Sequence, residues 1–177
     1  MLFQHLGFVH CPIREHCPAF PNCVDALIER IINAKRTQSL SKNQWKQQPQ
    51  SSDNTLNLLI LGSEHLASDI INGICLNCGD DDEYIYDGQS YFLNSEIING
   101  DLESFKSIDV SSSGLICIYS NSQSFEYLKD SIERSLLCEL EDKFASLPLV
   151  LVYQPEDQKD DNEIEMLRTD GQHLSDM

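Results

Sequence analysis

A chain of 177 residues has room for one domain with a substantial core, or for a domain with an appendage. Its 29 acidic against 12 basic residues give a formal net charge of −17, which argues against a nucleic-acid or anionic-membrane surface and repels any polyanion, a nucleotide phosphate included, unless a local site overcomes it. No apolar run approaches the roughly 20 residues of a membrane span, and "MLFQHLGFVHCPIREHCP" lacks the apolar stretch and small-residue cleavage site of a signal peptide, so the chain reads as cytoplasmic.

Residues 1–36 read as a block of their own. "HCPIREHCPAFPNC" is turn-like, and "VDALIERIINAKR" follows as a short amphipathic helix with Val24, Leu27, Ile28, Ile31 and Ile32 on one side. Residues 37–55, polar and rich in Gln and Ser, read as a mobile linker with Trp45 as its one large aromatic. From Leu56 to Met177 strand and helix alternate. "LNLLIL" suits a buried strand, and "EHLASDIINGI" sets Leu66, Ile70 and Ile74 at helical spacing. "YIYDGQSYFLNSEII" is a hairpin turning at Asp87 and Gly88. "GLICIYS" is a second buried strand, and Phe125, Leu128, Ile132, Leu136 and Leu140 form the stripe of a second helix. "LPLVLVY" and "NEIEMLRTDGQHL" supply a last strand and a weaker helix. The order predicts an α/β fold: a mostly parallel sheet with helices on both faces and one antiparallel edge strand.

The break from "LNLLILG" into a helix is how a phosphate-binding loop begins. A GxxxxGK[ST] loop needs its second glycine for close backbone approach, its lysine for phosphate charge and its hydroxyl for Mg²⁺. Laid on Gly62, those three places hold Ala67, Ser68 and Asp69. The chain resembles the Ras-like small GTPase fold at this point. The hairpin looks like the one leading to that family's Asp-x-x-Gly box, with Ile97 in place of the metal-binding Asp and Gly100 retained. "VLVYQPEDQ" resembles the strand carrying the guanine-reading Asn-Lys-x-Asp box, with Gln154 and Pro155 for Asn and Lys and Asp157 kept. The connection "CLNCGDDDE" is too short for the family's long switch loop and has no threonine to close over Mg²⁺; its run Asp80 to Glu83 reads as a solvated acidic turn.

"HCPIREHCPAFPNCVDALIERII", the polar linker, "LNLLILGSEHLASDI" and "DDEYIYDGQSYFLNS" together resemble the first of two pseudoGTPase domains in the large multidomain Rho GTPase-activating proteins. The resemblance implies a GTPase-shaped module without nucleotide or cofactor. It would act as a scaffold or protein-binding surface in a Rho regulator whose catalytic RhoGAP domain lies elsewhere. Its protein partners would belong to Rho signalling, and nucleic acid would not be among them. In a Ras-like domain a further strand and helix follow a segment such as "EIEMLRTDGQHLSDM", so the sheet is expected to lack an edge strand and a covering helix, as in a truncated product, unless the fold closes differently.

Two other readings stand beside this one. A divergent active GTPase would require Mg²⁺-dependent GTP or GDP binding. A zinc-stabilised adaptor would draw ligands from His10, Cys11, His16, Cys17 and Cys23, although their spacing lacks a paired CxxC or HxxxH; the plainer reading packs Cys17 and Cys23 as small apolar groups. Seven cysteines, several beside apolar periodic segments, point to reduced thiols, and "CLNC" at a helix end lacks the helix N-terminus that would activate it. No catalytic triad can be assembled. His65 and His173 read as surface residues of helix ends.

Overall fold

A computed structural model describes residues 7–10, 20–42, 54–79, 83–108, 112–133, 147–155 and 160–175. Six strands form one sheet: β1 (Gly7–His10), β2 (Thr55–Leu61), β3 (Glu83–Tyr86), β4 (Gln89–Ile98), β5 (Gly114–Tyr119) and β6 (Leu149–Tyr153), in the spatial order β1-β6-β5-β2-β4-β3. Every pairing is parallel except β3 with β4. The helices are α1 (Phe20–Lys42), α2 (Glu64–Asn77), α3 (Leu102–Ser107), α4 (Ser122–Ser131) and α5 (Asp161–Ser175). This is the mostly parallel, Ras-like arrangement expected from the sequence, with the hairpin strand β3 as its antiparallel edge.

A parallel sheet must be covered on both faces, and β5 and β6 are accordingly buried along their whole length. One core gathers Val24, Leu27, Ile28, Ile31 and Ile32 of α1 and Leu66, Ala67, Ile70 and Ile74 of α2 over Leu58, Ile60, Ile116 and Val152. The opposite core gathers Phe105 beside α4 and α5 over Leu59, Leu61, Cys117 and Leu151. Alternation along the strands does the sorting: Leu58 and Ile60 face one core, Leu59 and Leu61 the other. The hairpin turns at Asp87 and Gly88, both with positive φ (53° and 73°), as a two-residue turn matching the strand twist requires.

Three features differ from the expectation. The edge beside β6 is filled: β1 pairs with it in parallel, Gly7 opposite Val150 through His10 opposite Tyr153. The place of the missing covering helix is taken by α1, which packs beside α2. Finally, α1 extends to Lys42, well into the segment read as linker, whose start "TQSLSK" contains neither Gly nor Pro to break the helix. Leu136, Leu140 and Trp45 lie outside the described residues.

Helix α1 is also tied to the sheet by polar contacts. Lys35 donates to the Thr55 carbonyl at 3.0 Å and to Ser113 Oγ at 3.3 Å. The Arg36 guanidinium donates to Tyr91 Oη at 2.9 Å, to Asp87 at 3.1 Å and to Gln89 at 3.0 Å, and its carbon lies 5.3 Å from the Tyr86 ring centroid. One side chain of α1 thus holds the β3–β4 hairpin at the far edge of the sheet from β1.

Val24, Leu27, Ile28, Ile31 and Ile32 of α1 are almost fully buried. Each contributes about 1.5–3 kcal/mol, so together they rival the net stability of a domain, about 5–15 kcal/mol. Ile28→Ala is expected to lower the free energy of unfolding by about 2–5 kcal/mol in a urea titration. A loss below about 0.5 kcal/mol would mean that α1 is peripheral to the core.

Candidate functional site

In an open α/β sheet, ligands bind beyond the carboxyl ends of the strands where the chain order reverses, here between β2 and β5. An open cavity of about 480 Å³ lies there. Gly62, Ser63 and His65 line it from the β2–α2 connection, and Ser120, Asn121, Gln123, Ser124 and Tyr127 from the start of α4.

The β2–α2 connection consists of Gly62 and Ser63 alone, because α2 begins at Glu64. Ala67 therefore falls in the helix, buried in the α1-side core, with its N–H donating to the Ser63 carbonyl at 2.9 Å. Ser68 and Asp69 follow within α2, and Asp69 is buried at 7% exposure. The three positions laid on the phosphate-loop pattern thus all lie within a helix packed on the sheet. His65 is exposed, its Nδ1 lying 3.2 Å from Ser63 Oγ.

The two glycines that the resemblance lays on nucleotide boxes, Gly62 and Gly100, have packing roles. A Cβ on Gly62 would lie 2.6 Å from Ile118 Cγ2 and 2.8 Å from the Ile118 carbonyl oxygen, so the glycine lets the end of β2 approach β5. A Cβ on Gly100 would run into Ser131 Oγ and lie 2.8 Å from Tyr127 Oη. The Gly100 N–H itself donates to Tyr127 Oη at 2.7 Å, binding the β4–α3 connection to α4. Ile97 stands in β4 opposite Ile60, partly exposed, and offers no metal-binding oxygen on its side chain.

Next to Gly100, Asp101 caps α3 by accepting from the Ser104 N–H at 2.8 Å and the Ser104 hydroxyl at 2.8 Å. The Ser104 backbone bond first, and then its hydroxyl, hold the Asp101 carboxyl below the usual range. At the start of α4, Asn121 and Ser124 form a reciprocal capping box. At the end of β6, Gln154 extends the ladder by donating its N–H to the Tyr119 carbonyl at 2.9 Å. Gln154 and Pro155 are both buried, so neither side chain is presented to a base edge. Asp157 lies outside the described residues.

His10 lies in β1 and Cys23 in α1, but their side chains, together with Cys11, His16 and Cys17, lie outside the described residues; so do Asp80 to Asp82, whereas Glu83 opens β3. Among the described residues no three His, Cys, Asp or Glu side chains cluster as metal ligands, and no helix is long and apolar enough to cross a membrane. Cys75, Cys78 and Cys117 form no disulfide, and complete burial pushes the Cys117 thiol far up. The sequence reading missed Tyr127, whose partner lies in another element. It also missed the Asn121–Ser124 box, although Asn-x-x-Ser before an apolar helical stripe is itself a capping signal.

Residues 50–177 match the family model for the pG1 domain of RHG35/p190RhoGAP. The chain belongs to the p190RhoGAP pG1 family. It is 60% identical over 182 residues to Rho GTPase-activating protein 190 of Drosophila melanogaster, a match covering all of the chain and 12% of that protein. It is 33% identical over 159 residues to Rho GTPase-activating protein 35 of Rattus norvegicus and of Mus musculus, covering 86% of the chain and 11% of each relative. The chain thus spans about an eighth of the length of the Drosophila relative and a ninth of the rodent ones. The family match begins after α1, whereas the Drosophila match takes in β1 and α1 as well.

Gly62→Ala is expected to destabilise the chain by about 1–3 kcal/mol, because the added methyl must displace Ile118; urea titration measures it, and a neutral result would remove the packing role assigned to this glycine. For Asp101 the folded carboxyl lies below its unfolded value, so its contribution is present above the unfolded value and lost as pH falls through the folded one. The Ser104 amide resonance should accordingly titrate with a midpoint below the ordinary aspartate value; a midpoint above that value would show that the cap does not favour the charged form.

Proposed function

We propose that the chain is a non-catalytic pseudoGTPase module that binds no nucleotide and serves as a protein-interaction or scaffolding domain within a cytoplasmic Rho GTPase-activating protein. The observation that carries this reading is how the positions laid on the nucleotide boxes are occupied. Gly62 packs on Ile118, the Ala67 N–H is used inside α2, and the Gly100 N–H is used by Tyr127. A loop that holds phosphate needs such amides pointing into an open site, a lysine for charge and a hydroxyl for Mg²⁺. The net charge of −17 adds a general repulsion of polyanions.

Family membership supports a place in Rho signalling, with partners that are proteins of that pathway. The relatives are named as Rho GTPase-activating proteins, and the segment similar to this chain is a small part of each. GTPase activation would then be carried by another part of such a protein, with this module supplying a rigid surface.

Thermal unfolding with and without millimolar Mg²⁺ plus GTP or GDP tests the reading. A ligand at 100 times its dissociation constant adds about 2.7 kcal/mol, enough to move the midpoint by several degrees. No shift is expected for the chain itself or for Ser68→Lys, because that change restores neither the loop, the metal site nor the base-reading residues. A Mg²⁺-dependent shift in the unmodified chain would establish a nucleotide site of another design and overturn the proposal.

A further inference from the structure

We infer that β1–α1 and residues 54–175 form one obligate folding unit, a circular permutation of the Ras-like order, so that the family-matched segment 50–177 is not an autonomous domain. In the Ras-like order the strand beside β6 and the helix packed next to α2 come last in the chain. Here the same two places are filled by the elements that come first. β1 runs parallel to β6 over four residue pairs, and α1 lies against α2 over the shared core.

The fit of the closing unit is specific. A Cβ on Gly114, at the start of β5, would lie 2.8 Å from Ile31 Cδ1, so the sheet carries a glycine where α1 crosses it. Lys35 bonds the start of β2, and Arg36 bonds the β3–β4 hairpin. Removing β1 and α1 would bare the edge of β6 and the apolar surface of the shared core that Val24, Leu27, Ile28, Ile31 and Ile32 complete. Its occupant is a strand followed by an amphipathic helix, supplied by this chain itself. A partner search baited with residues 50–177 would therefore present a face that the whole chain keeps covered.

The test nicks the full chain at a specific protease site placed within residues 43–53. The two fragments are expected to co-elute on gel filtration and to melt in one transition whose midpoint rises with protein concentration, unlike that of the uncut chain. If the fragments separate, the inference requires the 54–177 fragment to lose its cooperative transition. Release of the N-terminal fragment from a remainder that still unfolds cooperatively would overturn the obligate unit. A rearranged chain, residues 54–177 followed by a Gly/Ser linker and residues 7–42, tests the permutation, with two linker lengths to separate strain from topology. It should show the circular dichroism and cooperative melting of the original order. Failure of both linkers to give that transition would overturn the permutation.

Discussion

The structure depends on a requirement of its central strands: β2, β5 and β6 pair in parallel and are apolar on both sides, so neither face of the sheet can be left to water. On one face α4 and α5 meet the need, and Tyr119 adds a hydrogen bond at 2.8 Å to the Leu167 carbonyl of α5. On the other face α2 shares the work with α1, whose stripe from Val24 to Ile32 fills the space beside it. The same helix reaches the hairpin through Arg36, and the short strand before it occupies the edge of β6. Coverage of the sheet is thus shared between the two ends of the sequence.

That coverage also bears on the geometry beyond the carboxyl ends of β2 and β5. Where a phosphate loop would wrap an anion, two residues pass directly from strand to helix, and the helix brings Ala67 and Asp69 into buried positions. Gly62 and Gly100 stand at places where a side chain would collide with a neighbouring element. The Tyr127 hydroxyl meets the Gly100 amide, and Gln154 continues the β5–β6 ladder. A glycine that matches a binding motif is therefore weak evidence of binding, since close packing alone accounts for it.

Much of this was legible in the sequence, and the parts that were not share a cause. The apolar runs of β2, β5 and β6, the helical stripes of α1, α2 and α4 and the Asp87–Gly88 turn are local signals, readable from spacing. The mismatch to the nucleotide boxes was legible because phosphate, Mg²⁺ and guanine each require particular side chains at fixed offsets, and Ala67, Ser68, Ile97 and Gln154 are of other types. "GFVH" gives no such signal: four residues become a strand by pairing with Val150 to Tyr153, about 140 positions away. The six-residue α3 is too short for a periodic pattern, and the Gly100–Tyr127 contact joins separate elements.

The sequence by itself determined the α/β class, the helix and strand types of the longer segments and the absence of phosphate-binding residue types, because these depend on periodicity and side-chain chemistry along the chain. Only the tertiary structure decided which element closes the edge beside β6, which helix covers the face shared with α2 and what packs against Gly62 and Gly100. Those outcomes depend on distances between segments far apart in sequence. A strand edge takes whatever compatible backbone is brought beside it, whether that backbone comes before or after it in the chain.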